Sequence, residues 1–292
     1  MKDTMYSFEE SLRIEKKKSE NTIQTYLQSV DQFLKSAKNN PPNKEDVQRY
    51  LKNLHKQSIN TVNVRLSALR AYFEYKQLAE LFTYINILER DTPVNEPVKS
   101  ALDSKKLAKM RAYFIKNNDC QSLLIFDLLS DYGARIAEVL ALRKKDFTEN
   151  GVSFFMTKTK RYRVHPLTPH AKESYAAYLK SADVKDYLFL TDDKQDDESK
   201  EARLYRNISK LRHKVRRRLL RCEKSCNIAE ESPHKLRHHR ATALAPSMNA
   251  FELKDFFGWK TLSIAATYVN TDMKRVNNKA LEALKQEQEA LV

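Results

Sequence analysis

Glycine is scarce in this chain, and its scarcity excludes the common nucleotide-binding loops. Only three glycines occur among the 292 residues, at Gly133, Gly151 and Gly258. A P-loop or a dinucleotide-binding turn needs several glycines at fixed offsets within one short stretch. Any phosphate chemistry of this protein must therefore run without such a loop.

Cysteines and long apolar runs are also scarce. The three cysteines are too few and too unevenly spaced for a disulfide framework, which indicates a reducing compartment. No apolar run reaches the length of a membrane span, and no signal-peptide pattern opens the chain. The sequence therefore predicts a cytoplasmic protein with no membrane partner.

Basic residues are present in clear excess. The chain has 53 lysines and arginines against 38 acidic residues, a net charge of +15. Residues 1–100 carry 16 of these basic residues and 13 acidic ones, a net charge of +3, which leaves +12 for residues 101–292. An excess of this size indicates a polyanionic partner, and without a membrane segment nucleic acid is the preferred one.

Four helices are predicted in the first part of the chain. Apolar residues recur there at helical spacing, and Ser58 or Asn60 is placed to cap the third helix. The stretch 92–100 contains two prolines and has no helical period, which is typical of a linker. We therefore predict a helical domain over residues 1–91 and a second domain over 101–292. The four helices are expected at about 21–34, 47–54, 60–73 and 78–88.

The second domain is predicted to be mostly helical as well. Asp103 is placed to cap one helix, and the apolar stretch 122–129 is typical of a buried helix. A short amphipathic helix is expected to begin at Arg135. The stretch 203–221 predicts a long helix with one apolar and one basic face, where a polyanion can lie. The charged stretch 192–201 has no period and is predicted to be a surface loop.

A small amount of sheet is predicted between these helices. Val152–Met156 and Arg163–Leu167 flank a lysine-rich turn and predict a β-hairpin, with Lys158 and Lys160 at its tip. Another short strand is expected at Tyr187–Leu190. The predicted fold class is therefore mainly α with a small β-sheet, that is α+β.

A zinc site is one alternative for the chemistry of this chain. Cys222, Cys226, His234 and His238 form a C-x3-C-x7-H-x3-H pattern. Zinc sites more often use a C-x2-C knuckle and a longer connection, and the arginines nearby would repel a cation. We therefore predict no metal site, and we expect the cysteines to pack as small apolar side chains.

Phosphodiester cleavage is the better-supported alternative. Without a metal or a nucleotide, such a reaction needs a nucleophile, cations that hold the pentacoordinate phosphorane, and an acid for the leaving alkoxide. Arginine suits the second task because its planar guanidinium binds two phosphate oxygens at once. The chain supplies every part in Arg135, Lys158, His234, Arg237 and Tyr268. Any one of these residues alone would have an ordinary structural explanation, so the hypothesis depends on the whole set.

The order of these motifs is what makes them specific. The chain contains an arginine in Gly-Ala-Arg-Ile-Ala-Glu-Val-Leu, a hairpin lysine, His-x-Leu-Arg-His, Phe-Gly-Trp and a tyrosine nine residues later. This order resembles the tyrosine recombinase (phage integrase) family over nearly the whole chain. The resemblance implies a SAM-like helical core-binding domain at the N-terminus, followed by the tyrosine-recombinase catalytic domain.

The resemblance also implies a role for each residue of the motifs. Arg135 is similar to the first catalytic arginine of the family, with Glu138 as its neighbour on the helix. His234 and Arg237 are similar to the His-x-x-Arg pair, and Tyr268 to the nucleophile.

Two further positions are carried over in the same way. When the hairpin is anchored on Pro166-Leu167, Lys158 aligns with the hairpin lysine of the family, and Lys160 is the alternative. Trp259 stands where most members have histidine and some have tryptophan. Its indole can pack and donate a hydrogen bond but cannot shuttle a proton.

The activity implied by this resemblance is site-specific recombination. Duplex DNA would be cut and rejoined through a 3′-phosphotyrosyl bond and a Holliday junction, with no cofactor, for integration, excision or resolution of a mobile element or replicon. The partners would be the double-stranded recombination site and a homotetramer on two such sites, with a C-terminal helix at about 275–292 exchanged between protomers. Relaxation by a type IB topoisomerase and non-catalytic DNA binding are the alternatives.

Overall fold

The computed structural model describes most of the chain. It covers residues 7–54, 56–85, 102–156, 161–190, 200–230 and 232–269, and four further positions, 281, 282, 285 and 289. The chain divides into two compact units, Met1–Pro93 and Val94–Val292. The predicted linker, the hairpin tip with both of its lysines, and most of the predicted C-terminal helix lie outside the described residues.

The first unit is built from helices. Their apolar stripes enclose one core that includes the fully buried Phe33 and Phe73. Ser58 caps the last long helix, because its hydroxyl accepts a hydrogen bond from the backbone N–H of Thr61 at 3.3 Å. The helices are α1 (Phe8–Ile14), α2 (Glu20–Ser36), α3 (Lys44–Leu54) and α4 (Ile59–Tyr75), followed by a 3₁₀ helix, Ala79–Tyr84.

Two features of this unit differ from the prediction. Over its described part, the expected fourth helix at 78–88 is a 3₁₀ helix, held in place by the burial of Leu81 and Ile85 against the core of the unit, and residues 86–88 lie outside the described residues. Helix α1 was not predicted, since Leu12 is its one buried apolar side chain and a single position shows no period. Its local signal was a capping box, in which Ser7 and Glu10 bond each other's backbone N–H groups.

The second unit holds eight α-helices and one 3₁₀ helix, Lys144–Asp146, among the described residues, and they are arranged around a helix that is buried almost throughout its length. This central helix is α6, and its apolar side chains contact those of its neighbours on several sides. Asp103 caps the first helix of the unit, as predicted. The helices are α5 (Ser104–Lys116), α6 (Cys120–Tyr132), α7 (Ile136–Leu140), α8 (Pro169–Ser181), α9 (Lys200–Ser225), α10 (Pro233–Leu244), α11 (Ala250–Phe257) and α12 (Leu262–Ala266).

Helix α9 shows the predicted division into two faces. Val215 and Leu219 are buried on one side, while Arg212 and Arg216 are exposed on the other. The helix begins at Lys200, so the last two residues of the predicted 192–201 loop belong to α9, and the rest of that loop lies outside the described residues.

The sheet is a three-stranded antiparallel meander. It consists of β1 (Phe147–Thr148), β2 (Gly151–Met156) and β3 (Arg161–His165). Phe154 on β2 pairs with Arg163 on β3, and Val152 pairs with His165. All four of these side chains are buried, so β3 presents an arginine and a histidine to the interior.

The predicted strand at 187–190 is wrong. Within the described residues, Tyr187 makes a single antiparallel bridge with Arg143, and no ladder follows. The segment is held instead by separate hydrogen bonds: the Tyr178 hydroxyl donates to the Leu188 carbonyl at 2.6 Å, and the Leu188 N–H to Leu142 at 2.9 Å.

The predicted fold class is confirmed, because the described residues are mainly helical with one small sheet. Among these residues, no helix combines the length and the apolar character that crossing a bilayer requires.

Candidate active site

A tight turn after α6 delivers the first arginine of the site. Helix α6 ends at Gly133, which has a φ of +54°, a left-handed conformation that glycine adopts most easily. A Cβ atom at this position would lie 2.5 Å from Cε1 of Phe257, so the close approach of that ring also requires glycine. The next turn of chain places Arg135 at the N-cap of α7.

Glu138 holds Arg135 together with a second arginine. Its Oε1 accepts a hydrogen bond from Nη1 of Arg135 at 2.6 Å, and its Oε2 accepts one from Nη2 of Arg163 at 3.0 Å. The Arg135 backbone N–H also donates to Oε2, at 3.0 Å. Arg163 donates through Nη1 to the Phe256 carbonyl at 2.8 Å, which connects β3 to α11. The carboxylate therefore fixes the start of α7, the hairpin and α11 relative to one another.

Arg237 is buried in the middle of the site. Its Nη1 donates to the Gly133 carbonyl at 2.7 Å, and its Nη2 donates to the Phe257 carbonyl at 2.8 Å. Burial, together with the charges of Arg135 and Arg163, lowers its pKa to about 9, so the guanidinium still carries its charge at neutral pH. These two hydrogen bonds to backbone carbonyls fix the orientation of the guanidinium.

A stack of aromatic rings supports Tyr268. Phe257 and Trp259 have ring centroids 4.7 Å apart, and Trp259 and Tyr268 have centroids 5.3 Å apart with planes only 7° from parallel. Gly258 ends α11 with a φ of +61°, which turns the chain so that Trp259 folds back beside Phe257. The stack therefore sets the plane of the tyrosine ring.

The hydroxyl of Tyr268 is hydrogen-bonded to Nδ1 of His238. The two rings have centroids 5.8 Å apart, and His238 also meets the ring of His234 edge-on at 4.7 Å. Burial, and then the positive charges of His234, Lys235 and Arg237, lower the pKa of His238 to about 4. Burial raises the pKa of Tyr268, and the charge of Arg237 partly opposes this. At neutral pH the pair is therefore a phenol and a neutral imidazole.

A cleft of about 420 Å³ opens beside these residues. Arg135 and His234 lie along its wall, and Arg212, His213 and Arg216 on the basic face of α9 form another side. Arg216 also forms an ion pair with Glu230, with a distance of 2.9 Å from Nη2 to Oε1. The cleft is therefore lined by positive charge at the place where Arg135 meets α9.

The structure brings Arg135, His234, Arg237, Trp259 and Tyr268 into one site. The predicted lysine, Lys158 or its alternative Lys160, lies outside the described residues. The hairpin strands that lead to it, β2 and β3, are in place.

The cysteines of the alternative zinc pattern bond to backbone carbonyls. Sγ of Cys222 donates to the carbonyl of Met110, and Sγ of Cys226 to that of Lys109, both at 3.6 Å. Both carbonyls belong to α5, whereas His238 bonds Tyr268. Among the described residues, no three metal-ligating side chains cluster together.

Two residues of the site were not predicted from the sequence. Arg163 faces inward because alternate residues of β3 point to the interior, so an arginine in that register requires a buried partner, which is Glu138. His238 lies one turn after His234 on α10, and this i, i+4 spacing puts both rings on one face. The strand register and the helical spacing were therefore the signals that could have identified them.

Comparison with known proteins is consistent with this architecture. The model of the phage integrase family matches residues 101–275, and that of the phage integrase N-terminal SAM-like domain matches residues 5–80. The chain belongs to the phage integrase family. The predicted resemblance is thereby confirmed, and this integrase-family chain is a tyrosine recombinase, an enzyme of DNA strand exchange.

Individual relatives match this recombinase along almost its whole length. A tyrosine recombinase of Pseudothermotoga lettingae is 28% identical over 286 residues, covering 92% of this chain and 94% of the relative. The TnP I resolvase of Bacillus thuringiensis is 24% identical over 280 residues, covering 90% and 93%. Among solved structures, a lambda integrase tetramer bound to a Holliday junction has a TM-score of 0.64 at 15% identity, covering 90% of this chain and 75% of that one. At that identity the structural match shows a shared fold.

Proposed function

We propose that Tyr268 is the nucleophile with which this recombinase cuts duplex DNA at a specific site. One observation carries the proposal: the guanidinium of Arg237 lies 5.6 Å from the centre of the Trp259 ring, which stacks on Tyr268, and the charge of Arg135 acts on the same guanidinium. Attack on the scissile phosphate would leave a 3′-phosphotyrosyl bond and a free 5′-hydroxyl. Attack by a 5′-hydroxyl of the partner strand would reverse the step, and two rounds would pass through a Holliday junction.

The two arginines would stabilise the phosphorane. The carboxylate of Glu138 bonds Arg135 and Arg163, and the charge of Arg237 acts on all three of these groups. Three positive charges therefore meet one negative charge, and the site carries an excess of positive charge. An incoming phosphate compensates that excess, and the compensation grows as negative charge develops on the equatorial oxygens. Bonds to Glu138 and to backbone carbonyls hold the guanidinium groups in place before substrate arrives, so little reorganisation is needed.

Proton transfer to the leaving group requires an acid near the 5′-oxygen. Lys158 is the residue that we propose for it, with Lys160 as the alternative, because both stand between strands β2 and β3. His234 lines the cleft next to Arg135, where it can bond a phosphate oxygen or assist proton transfer. Trp259 packs against the nucleophile and positions it.

The proposed substrate is a double-stranded recombination site, bound by a homotetramer that spans two such sites. The net charge of +12 over residues 101–292 and the basic wall of the cleft suit the phosphate backbone. Leu281, one of the described positions near the C-terminus, is 53% exposed in the single chain, as expected of a segment that docks on a neighbouring protomer. On a synthetic four-way junction, light scattering should give the mass of four chains.

Two other activities would use the same residues or surfaces. Relaxation without ordered exchange would use the same chemistry, and non-catalytic DNA binding would need only the basic surfaces. The relatives are named recombinases and a resolvase, which favours strand exchange over both.

A suicide duplex tests the proposal. It carries the recombination site sought in the DNA that flanks the gene, with a nick just beyond the scissile phosphate so that the short 5′-hydroxyl fragment diffuses away. We expect a covalent protein–DNA complex that Tyr268→Phe abolishes while DNA binding survives. Tyr113→Phe, a change of the same kind elsewhere in the unit, is the control. Trapping at another tyrosine would refute the assignment, and joining of two separate duplexes would distinguish recombination from relaxation.

A further inference from the structure

The hydrogen bond between Tyr268 and His238 has a chemical direction. A phenol is the stronger hydrogen-bond donor and a neutral imidazole nitrogen the stronger acceptor, so the tyrosine proton points at Nδ1. The ring proton of His238 must then be on Nε2. An unprotonated nitrogen is thus already in contact with the atom that has to lose its proton when it attacks phosphorus.

His234 and His238 occupy different places around the reacting atoms. They stand one turn apart on α10, and their rings meet edge-on. His234 lies along the cleft beside Arg135, whereas the ring of His238 lies next to Tyr268 and bonds its hydroxyl. The two histidines can therefore act on different oxygens.

From this geometry we propose that His238 removes the proton of Tyr268 as the tyrosine attacks. The inference rests on the role proposed above for Tyr268. The bond from Tyr268 Oη to phosphorus forms while the bond from phosphorus to the 5′-bridging oxygen breaks. The hydroxyl proton passes to Nδ1, which gives an imidazolium, and the leaving 5′-oxygen takes its proton from a separate acid, for which Lys158 is proposed. In ligation the imidazolium returns its proton to the departing tyrosine.

The charges around His238 suit this task once DNA is bound. Burial and the positive charges of His234, Lys235 and Arg237 keep the pKa of the ring low, and the phenol of Tyr268 faces it from the segment after α12. A bound phosphate brings negative charge next to those cations and offsets them. The ring then becomes more basic when its substrate is in place.

The test compares variants of His238 on the suicide duplex under single-turnover conditions. His238→Asn keeps a hydrogen-bond acceptor near the hydroxyl but cannot take up the proton, and His238→Ala removes the ring. Both should form the covalent complex about 10²- to 10⁴-fold more slowly, the usual range for loss of a general base. His239→Ala is the matched control, since His239 bonds the Leu102 carbonyl at 3.0 Å and should keep the wild-type rate per folded molecule.

Two further measurements separate proton removal from a purely structural role. With sulfur in place of the 5′-bridging oxygen, the leaving thiolate needs no acid. The cleavage rate of Lys158→Ala should therefore recover, while that of His238→Ala stays low. Added imidazole should restore cleavage by His238→Ala in proportion to its neutral fraction. Because His238→Asn keeps a planar polar group and leaves a smaller gap than alanine, it keeps the comparison valid even if the alanine variant folds poorly.

The opposite outcomes would overturn the inference. Cleavage by His238→Asn at the wild-type rate or faster would mean that the histidine only holds the tyrosine at rest. If the cleavage rate of His238→Ala recovers on the sulfur substrate, the histidine is the acid of the leaving group. If His238→Ala is slow and imidazole does not rescue it, the role of the histidine is structural. If the wild-type chain forms no complex at Tyr268, the proposed function fails instead.

Discussion

The rings of Trp259 and Tyr268 lie almost parallel, with centroids 5.3 Å apart and planes 7° apart. Tryptophan cannot transfer a proton, so its contribution must come from packing and hydrogen bonding. Trp259 is itself stacked on Phe257, which belongs to the small core formed by α10, α11 and α12. The position of the tyrosine ring is thus tied to the packing of three helices.

The first prediction concerns this stack. Trp259→Ala removes a buried ring, which should destabilise the fold by about 3–5 kcal/mol and lower the cleavage rate at least tenfold because Tyr268 loses its support. Trp259→Phe retains a stacking ring and should keep most of the activity. Thermal unfolding and single-turnover cleavage measure the two effects. Equal rates for the two variants would exclude the supporting role.

The second prediction concerns the carboxylate between two arginines. Glu138→Gln leaves Arg135 and Arg163 without their anionic partner, so stability should fall by about 3–5 kcal/mol, and cleavage should slow as well. Glu173→Gln is the matched control, because Glu173 also bonds an arginine, Arg111, at 2.6 Å but is 67% exposed. It should cost no more than about 1 kcal/mol in urea unfolding. Similar losses for both variants would contradict the argument.

The third prediction concerns the turn that positions Trp259. Gly258→Ala puts a side chain at a φ of +61°, and its Cβ would lie 1.9 Å from Sδ of Met156. The left-handed conformation alone should cost about 1–2 kcal/mol, and the clash adds to it. The double variant with Met156→Ala removes the clash but not the backbone strain. Chemical denaturation should therefore show that Gly258→Ala lowers the free energy of unfolding less in the Met156→Ala background than in the wild-type background. An equal loss in both backgrounds would disprove the contact.

The fourth prediction concerns acid sensitivity. Burial and the charge of Arg163 lower the pKa of His165 from 6.5 to about 4, and its Nε2 has no hydrogen-bond partner in the described part of the chain. The unfolded chain binds this proton near pH 6.5 and the folded one only near pH 4. The contribution of neutral His165 to the free energy of unfolding is therefore fully present above pH 6.5, and it falls by up to about 3 kcal/mol as the pH drops to 4.

Replacing that histidine tests the linkage. His165→Phe should lose less stability than the wild-type chain between pH 7.5 and 4.5, as measured by urea unfolding at each pH. His170→Phe, a change at an exposed position on α8, should leave the pH dependence as it is. An unchanged slope in His165→Phe would show that this ring does not carry the effect.

Much of the fold could be predicted because its signals are local. Ser58 and Asp103 each cap a helix, and the period of α9 identified its buried face. The segment 187–190 was misassigned since a short apolar run does not reveal whether a strand finds a partner. Pairing with another strand is a tertiary event, and here the partner makes one bridge only.

The sequence by itself determined the family and the residue types of the site, because the motif order and the His-x-x-Arg spacing are properties of the linear chain. The tertiary structure decided which side chains meet. Arg163 shares Glu138 with Arg135, and His238, not His234, bonds the Tyr268 hydroxyl. Those contacts depend on strand register and on the packing of α10 against the segment after α12. They join residues 25 and 30 positions apart, a separation that only the folded chain can bridge.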